Sequence, residues 1–355
     1  MRTIVVMMIL FAVNKCPAQN TSAFADSVRR VYKIPELSYA VVSADDVYEL
    51  HALGGRKINT EWVATLNDRF RIGSNTKAIT GFIAAQLVRE GKLSWDTKFF
   101  DLFPEMRAAS NKAYQQLTLL NLLTFRARLI KYTYTDEVPA KGQFTGDEAE
   151  QRYQFTKWFF EQRPVADADI CYSNLGFVAA GLMMEKASGK SYKELVENLG
   201  QSLGIDFDFG QPNLKDAMQT WGHNADLAPE PPCDNYKLNW LLAAGNINVT
   251  LPDYIKFIQL QLKGLEGRSE LLPREQFEFL HYGLPKFAVG WFWGRDSAGD
   301  QFSYNVGNPG SLLTKVYVYK TKGKAIIIFT NAQTEAANEG IDVLYDKLKE
   351  VYKLE

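Results

Sequence analysis

The 355-residue chain has little of what metal, redox and nucleic-acid chemistry require. It contains three histidines, His51, His223 and His281, and three cysteines, Cys16, Cys171 and Cys233. No C-x-x-C pair occurs, and no cysteine stands near a histidine at ligand spacing, so a zinc or redox centre is not expected and no cofactor is called for. Neither charge sign dominates: 40 basic against 41 acidic residues give a net charge of −1. That balance offers no footprint for nucleic acid or an anionic membrane surface. No apolar run approaches the roughly 20 residues needed to cross a bilayer. Internal repeats and low-complexity segments are also missing.

The N-terminus differs from the rest. Arg2 precedes an apolar run from Ile4 to Val13, followed by Cys16, Pro17 and Ala18. This is the shape of a signal peptide, with cleavage expected after Ala18. Asn14 and Lys15 ahead of Cys16 argue against lipid attachment there. Loss of residues 1–18 removes Arg2 and Lys15 and no acid, taking the net charge from −1 to about −3. The mature chain is therefore expected to be periplasmic or secreted, without a stable membrane span. Such a compartment permits a disulfide between Cys171 and Cys233 without requiring one.

Strand-forming residues dominate both ends of the chain. Leu37–Ser43 and Val47–Leu53 flank the short turn Ala44-Asp45-Asp46, which predicts an antiparallel hairpin. Phe287–Trp293, Leu312–Tyr319 and Ala325–Thr330 read as further strands. Ser22–Tyr32 and Ala337–Tyr352 read as helices. Between about Ser74 and His281 the apolar spacing is mostly helical. The pattern predicts a mixed α+β fold: one antiparallel sheet built from both chain ends, flanked by helices, with a mostly helical inserted region. In domain terms, residues 19–355 form one unit after the signal, with a sheet part of about 19–73 and 285–355 and a helical part of about 74–284.

Two short segments carry chemistry. Gly73-Ser74-Asn75-Thr76-Lys77 opens a helical stretch ending at Gly91. Residues three apart share a helix face, so the Ser74 hydroxyl and the Lys77 amine can meet. A serine hydroxyl needs a base to become a nucleophile, and a lysine serves when burial lowers its pKa toward neutrality. The spacing S-x-x-K alone is weak, because about one match arises by chance in a chain of this length. An N-cap serine with a solvated lysine explains it equally well. The second segment, Cys171-Tyr172-Ser173-Asn174-Leu175-Gly176, lies on a loop just before another helix. Tyr172 is placed to relay a proton if Lys77 lowers its pKa, and Asn174 to orient Lys77 and to meet a substrate carbonyl. A packed loop tyrosine and a capping asparagine are the plainer alternative.

Taken together, Phe70–Pro104 (FRIGSNTKAITGFIAAQLVREGKLSWDTKFFDLFP) and Tyr172–Tyr192 (YSNLGFVAAGLMMEKASGKSY) resemble the serine β-lactamase family. That family includes class C β-lactamases, D-alanyl-D-alanine carboxypeptidases, penicillin-binding-protein-like hydrolases and related esterases. Ile34-Pro35-Glu36-Leu37, Leu242-Ala243-Ala244-Gly245, Val289-Gly290-Trp291 and Ile328-Phe329-Thr330-Asn331 extend the likeness along nearly the whole mature chain. The resemblance implies a Ser74 nucleophile activated by Lys77 and Tyr172, with an acyl-enzyme formed on an amide, lactam or ester carbonyl. The partner it implies is a small-molecule or peptide substrate.

Two departures stand out. The family's third motif, K-T-G or H-x-G, is matched by Asn305-Val306-Gly307, so an amide replaces a cation. Gly307 still permits close backbone approach, and Asn308 supplies the second oxyanion N–H by resemblance. After Leu122-Leu123-Thr124, where relatives carry His-Thr-Ser-Gly, this chain has Phe125-Arg126-Ala127-Arg128. Arg126 or Arg128 is a candidate to restore an anion-binding charge, although surface ion pairing is the commoner use of such residues. Trp291 and Trp293 alternate toward one face of a strand, as cleft wall or sheet core. Tyr132 and Tyr134 are open in the same way. A carboxylate-independent esterase or amidase, and a silent binding or sensor module on the same fold, are the alternative functions.

Overall fold

A computed structural model describes residues 17–166, 169–233 and 235–354. All of the expected leader except Pro17 and Ala18 lies outside these residues. The first helix, α1, runs Pro17–Val31.

The main sheet has six antiparallel strands: β1 Glu36–Ser43, β2 Val47–Gly54, β6 Phe292–Arg295, β7 Gln301–Gly307, β8 Leu313–Tyr319 and β9 Lys324–Thr330, ordered β2-β1-β9-β8-β7-β6. The expected hairpin is present. The Ser43 N–H donates to Asp46 O at 2.9 Å, and Tyr39 lies opposite His51. Strand β1 then pairs with β9, Tyr39 opposite Ile328, which joins the two ends of the chain as the sequence pattern predicts. Because alternate residues face opposite sides, Leu37, Tyr39 and Val41 pack with Ile326 and Ile328 against α1 and the C-terminal helix Glu335–Tyr352. Ala40 and Val42 face the other way with Ile327 and Phe329, into the larger core shared with the helical region.

Three short strands, β3 Arg69–Arg71, β4 Asp208–Phe209 and β5 Ile247–Thr250, form a second sheet ordered β3-β5-β4. Two of them fall inside the stretch read as helical. They are two and four residues long, too short to show a period. Similarly, the strand expected over 287–293 begins only at Phe292, with Val289 and Trp291 buried in the loop before it.

The next helix, α2, runs Thr76–Arg89 after a single 3₁₀ turn over Gly73–Asn75. It is buried on nearly every side between the sheets and the helix Leu175–Ser188. A helix apolar all round is a core helix, and a polar group on it lies away from bulk water. That position decides the chemistry of Lys77.

Candidate active site

Strand β3 delivers the chain into the core, the Ile72 N–H donating to Ile247 O at 3.0 Å, and Gly73 turns it at φ 51° into α2. Ser74 sits on that turn and Lys77 follows one turn later, 1% exposed. The Lys77 Nζ lies 2.9 Å from Ser74 Oγ, 2.8 Å from Asn174 Oδ1 and 2.8 Å from Ala244 O. Asn174 is fixed in turn by its Nδ2, which donates to Tyr132 O at 2.8 Å, so its oxygen must face the lysine. On the other side of the serine, the Tyr172 hydroxyl is 2.7 Å from Ser74 Oγ. Residues 98 apart in sequence thus share one hydroxyl contact.

Burial lowers the Lys77 pKa to about 7. The expectation that Lys77 lowers Tyr172 is overturned. Desolvation around the phenol raises its pKa, and the Ser74 hydrogen bond offsets this only in part. Although 37% of the residue is exposed, its ring packs on Phe125 with centroids 4.6 Å apart. Tyr172 is therefore a proton donor at neutral pH, and Lys77 is the base of the pair.

Ser74, Tyr172 and Asn174 line a cleft of about 340 Å³ with Thr133, Tyr134, Gly245, Val306 and Asn308. Strand β7 closes one side. A Cβ on Gly73 would lie 2.9 Å from Asn308 N, so the end of β7 meets the nucleophile turn backbone to backbone. A larger groove of about 580 Å³ lies between α1 and the 54–63 loop. It holds none of these residues, and the juxtaposed nucleophile and base select the smaller cleft.

The profile of the Beta-lactamase family matches residues 22–349. The chain belongs to the beta-lactamase family. Penicillin-binding protein 4 of Amycolatopsis lactamdurans is 25% identical over 348 residues, covering 88% of each chain. Among solved structures, D-alanine carboxypeptidase AmpC from Burkholderia cenocepacia superposes with a TM-score of 0.72 at 18% identity, over 93% of this chain and 98% of that one. A class C beta lactamase from Rhodobacter sphaeroides gives 0.72 at 16% identity, over 93% and 99%. At these identities the structural matches speak for the fold alone.

In this beta-lactamase-family protein the structure gathers Ser74, Lys77, Tyr172, Asn174, Gly307 and Asn308 and leaves Asn305 outside the cleft. Strand parity turns Val306 outward, 37% exposed, and Asn305 inward, 2% exposed. Asn305 Nδ2 donates to Gly290 O at 2.7 Å, and a Cβ on Gly290 would lie 2.5 Å from Lys77 O. Asn305 thus ties β7 to the loop packed on the lysine. Replacing it by alanine orphans the buried Gly290 carbonyl, and urea denaturation is expected to show a loss of about 1–3 kcal/mol.

The two arginines after Thr124 also lie elsewhere. Arg126 donates to Thr124 O, Phe287 O and Pro285 O, and Arg128 to Val165 O. Neither lines the cleft, so the proposed restoration of an anion-binding charge by these residues does not hold. Positive φ at Phe125 (59°) and Arg128 (54°) redirects this loop, and composition alone does not reveal that. Trp291 is fully buried and stacked on His281 at 4.4 Å, while Trp293 donates from Nε1 to Leu284 O, so both belong to sheet packing. Tyr132 is core, but Tyr134 lines the cleft. Cys171 and Cys233 are both free thiols. Thr133, Thr135 and Gln333 were missed as cleft residues, and no motif marks them. Ala244 O was also missed, although Leu242-Ala243-Ala244-Gly245 signalled a constrained backbone.

Proposed function

We propose that this protein is an exported serine hydrolase that cleaves an amide, lactam or ester carbonyl through a Ser74 acyl-enzyme. The carrying observation is the environment of the Lys77 amine. Two of its three neighbours, Asn174 Oδ1 and Ala244 O, can only accept hydrogen bonds. A neutral amine has two N–H groups to satisfy them, and its lone pair then points at the third neighbour, Ser74 Oγ. With a pKa of about 7 the neutral form is abundant at physiological pH.

Lys77 takes the Ser74 proton as Oγ attacks the substrate carbonyl. The N–H groups of Ser74 and Asn308 face the developing oxyanion. Tyr172, protonated because burial raises its pKa, gives its proton to the leaving group and recovers one from Lys77. Hydrolysis of the acyl-enzyme reverses the relay: one proton enters from the attacking water and one returns to Ser74 Oγ. The intact Ser74, Lys77, Tyr172 and Asn174 constellation argues against a silent module. Export is supported by the Arg2 to Ala18 segment. Among the described residues no helix is long and apolar enough to cross a membrane.

The wild-type protein is expected to label with a fluorophosphonate probe and to gain the mass of one acyl group from a p-nitrophenyl ester or a β-lactam. Ser74→Ala should abolish both signals. A wild-type protein inert to every serine-directed probe overturns the reading.

A further inference from the structure

Arg71 stands on β3, three residues before the nucleophile. Its neighbours Phe70 and Ile72 enter the main core, so the alternation of the strand sends the Arg71 side chain to the opposite face. The residue is only 3% exposed, and its Nε and Nη2 are buried without a hydrogen-bond partner. Other arginines of low exposure are satisfied: Arg56 by Asp68, Arg69 by Asp206 and Arg152 by Glu185. A guanidinium stays charged at any physiological pH, and an unpaired buried charge is among the costliest features a fold can retain.

The Arg71 guanidinium carbon lies 5.3 Å from the centre of the Tyr134 ring. Tyr134 is a wall of the Ser74 cleft, and its hydroxyl donates to Gly245 O at 2.9 Å. Arg71 is thus one side chain behind the cleft surface. No charged side chain is among the described residues lining that cleft. Position 305 carries an amide turned inward, and Arg126 and Arg128 are spent on carbonyls.

We propose that Arg71 is the anion receptor of the Ser74 cleft, and that the substrate carries a carboxylate which docks at the Tyr134 end against the Arg71 Nε and Nη2 groups. This rests on the hydrolase reading of Ser74 and adds the substrate class. The guanidinium fork matches a carboxylate with two parallel hydrogen bonds, which a lysine at the third motif supplies only as a point charge.

The test compares the p-nitrophenyl monoester of glutaric acid with the same ester whose free carboxyl is an amide. The wild-type kcat/KM is expected to favour the acid by about tenfold or more, carried by KM. Arg71→Gln should bring the ratio to about one, and Arg71→Lys should keep part of it. A wild-type ratio near one, or a ratio unchanged in Arg71→Gln, overturns the proposal. If Arg71→Gln does not fold, the wild-type ratio and Arg71→Lys still decide. Calorimetric binding of 4-phenylbutyrate and its amide to Ser74→Ala separates the two readings. Acid-selective binding without turnover of either ester sinks the hydrolase and keeps the receptor. Turnover of both esters at equal efficiency does the reverse. Thermal stabilisation by free acetate or chloride, with the acid and amide esters treated alike, assigns Arg71 a structural ion and also overturns the proposal.

Discussion

Lys77→Met is expected to lower the rate of acylation by a p-nitrophenyl ester by about 10³, within the range a positioned general base supplies. Methionine keeps a flexible chain of similar length in the buried site but offers neither a lone pair of comparable basicity nor donors for Asn174 Oδ1 and Ala244 O. The wild type carries a further signature. Its active form has Lys77 deprotonated, so kcat/KM should rise with pH through a midpoint near 7 and level above it. The residual activity of Lys77→Met should lack that limb. Stability supplies an independent reading of the same group. The folded pKa of about 7 lies below the unfolded value of 10.5, so between these two values the unfolded chain binds one more proton. Unfolding free energy of the wild type relative to Lys77→Met should therefore increase with pH across that window, by about 1.4 kcal/mol per pH unit. A flat difference in urea titrations at pH 7.5 and 9 means that Lys77 stays charged in the fold and is not the base.

Much of the sheet was legible because its strands are long enough to show a period. Leu37–Ser43 and Ala325–Thr330 were read within one residue of β1 and β9. Their pairing follows from the need of a hairpin at one end of the chain to bury both faces. Strand β7 was seen only as a motif, and the β3-β5-β4 sheet lies below the length at which alternation can be recognised. The site divides in the same way. Ser74 and Lys77 were visible through helical spacing, which is local. The contact from Ser74 to Tyr172 spans 98 residues and was reached only through resemblance. The direction of the Tyr172 shift was misread because desolvation depends on packing by Phe125 and its neighbours, which no spacing encodes. Which of Asn305 and Val306 faces the cleft depends on strand parity, and one residue of register reverses it. Arg71 attracted no notice in sequence, because an arginine in a short strand ordinarily points to water. Only its burial gives it meaning.

Gly307→Ala tests the other half of the site, the oxyanion geometry, without touching the base. An added Cβ would lie 1.9 Å from Ile72 O and 2.3 Å from Thr314 Oγ1. Neither neighbour is free to yield. Ile72 O accepts from Asn75 N at 3.1 Å and from Thr314 Oγ1 at 3.1 Å, which holds the first turn before α2 in place. The end of β7 must therefore back away, carrying Asn308 N from the nucleophile turn. A displacement of about 1 Å at such a donor costs on the order of 10² in rate. The expected result is a kcat on a p-nitrophenyl ester reduced by about 10²–10³, with a loss of about 1–3 kcal/mol in urea denaturation from overpacking. The pH midpoint near 7 should persist in the remaining activity, because the partners of Lys77 are on α2, Asn174 and Ala244 and not on β7. This separates the two halves of the machinery: Lys77→Met removes the pH limb, whereas Gly307→Ala lowers its height and leaves its position. If Gly307→Ala keeps kcat within threefold while its stability falls as expected, the Asn308 N–H is not an oxyanion donor, and the close approach of β7 to Ile72 serves packing alone.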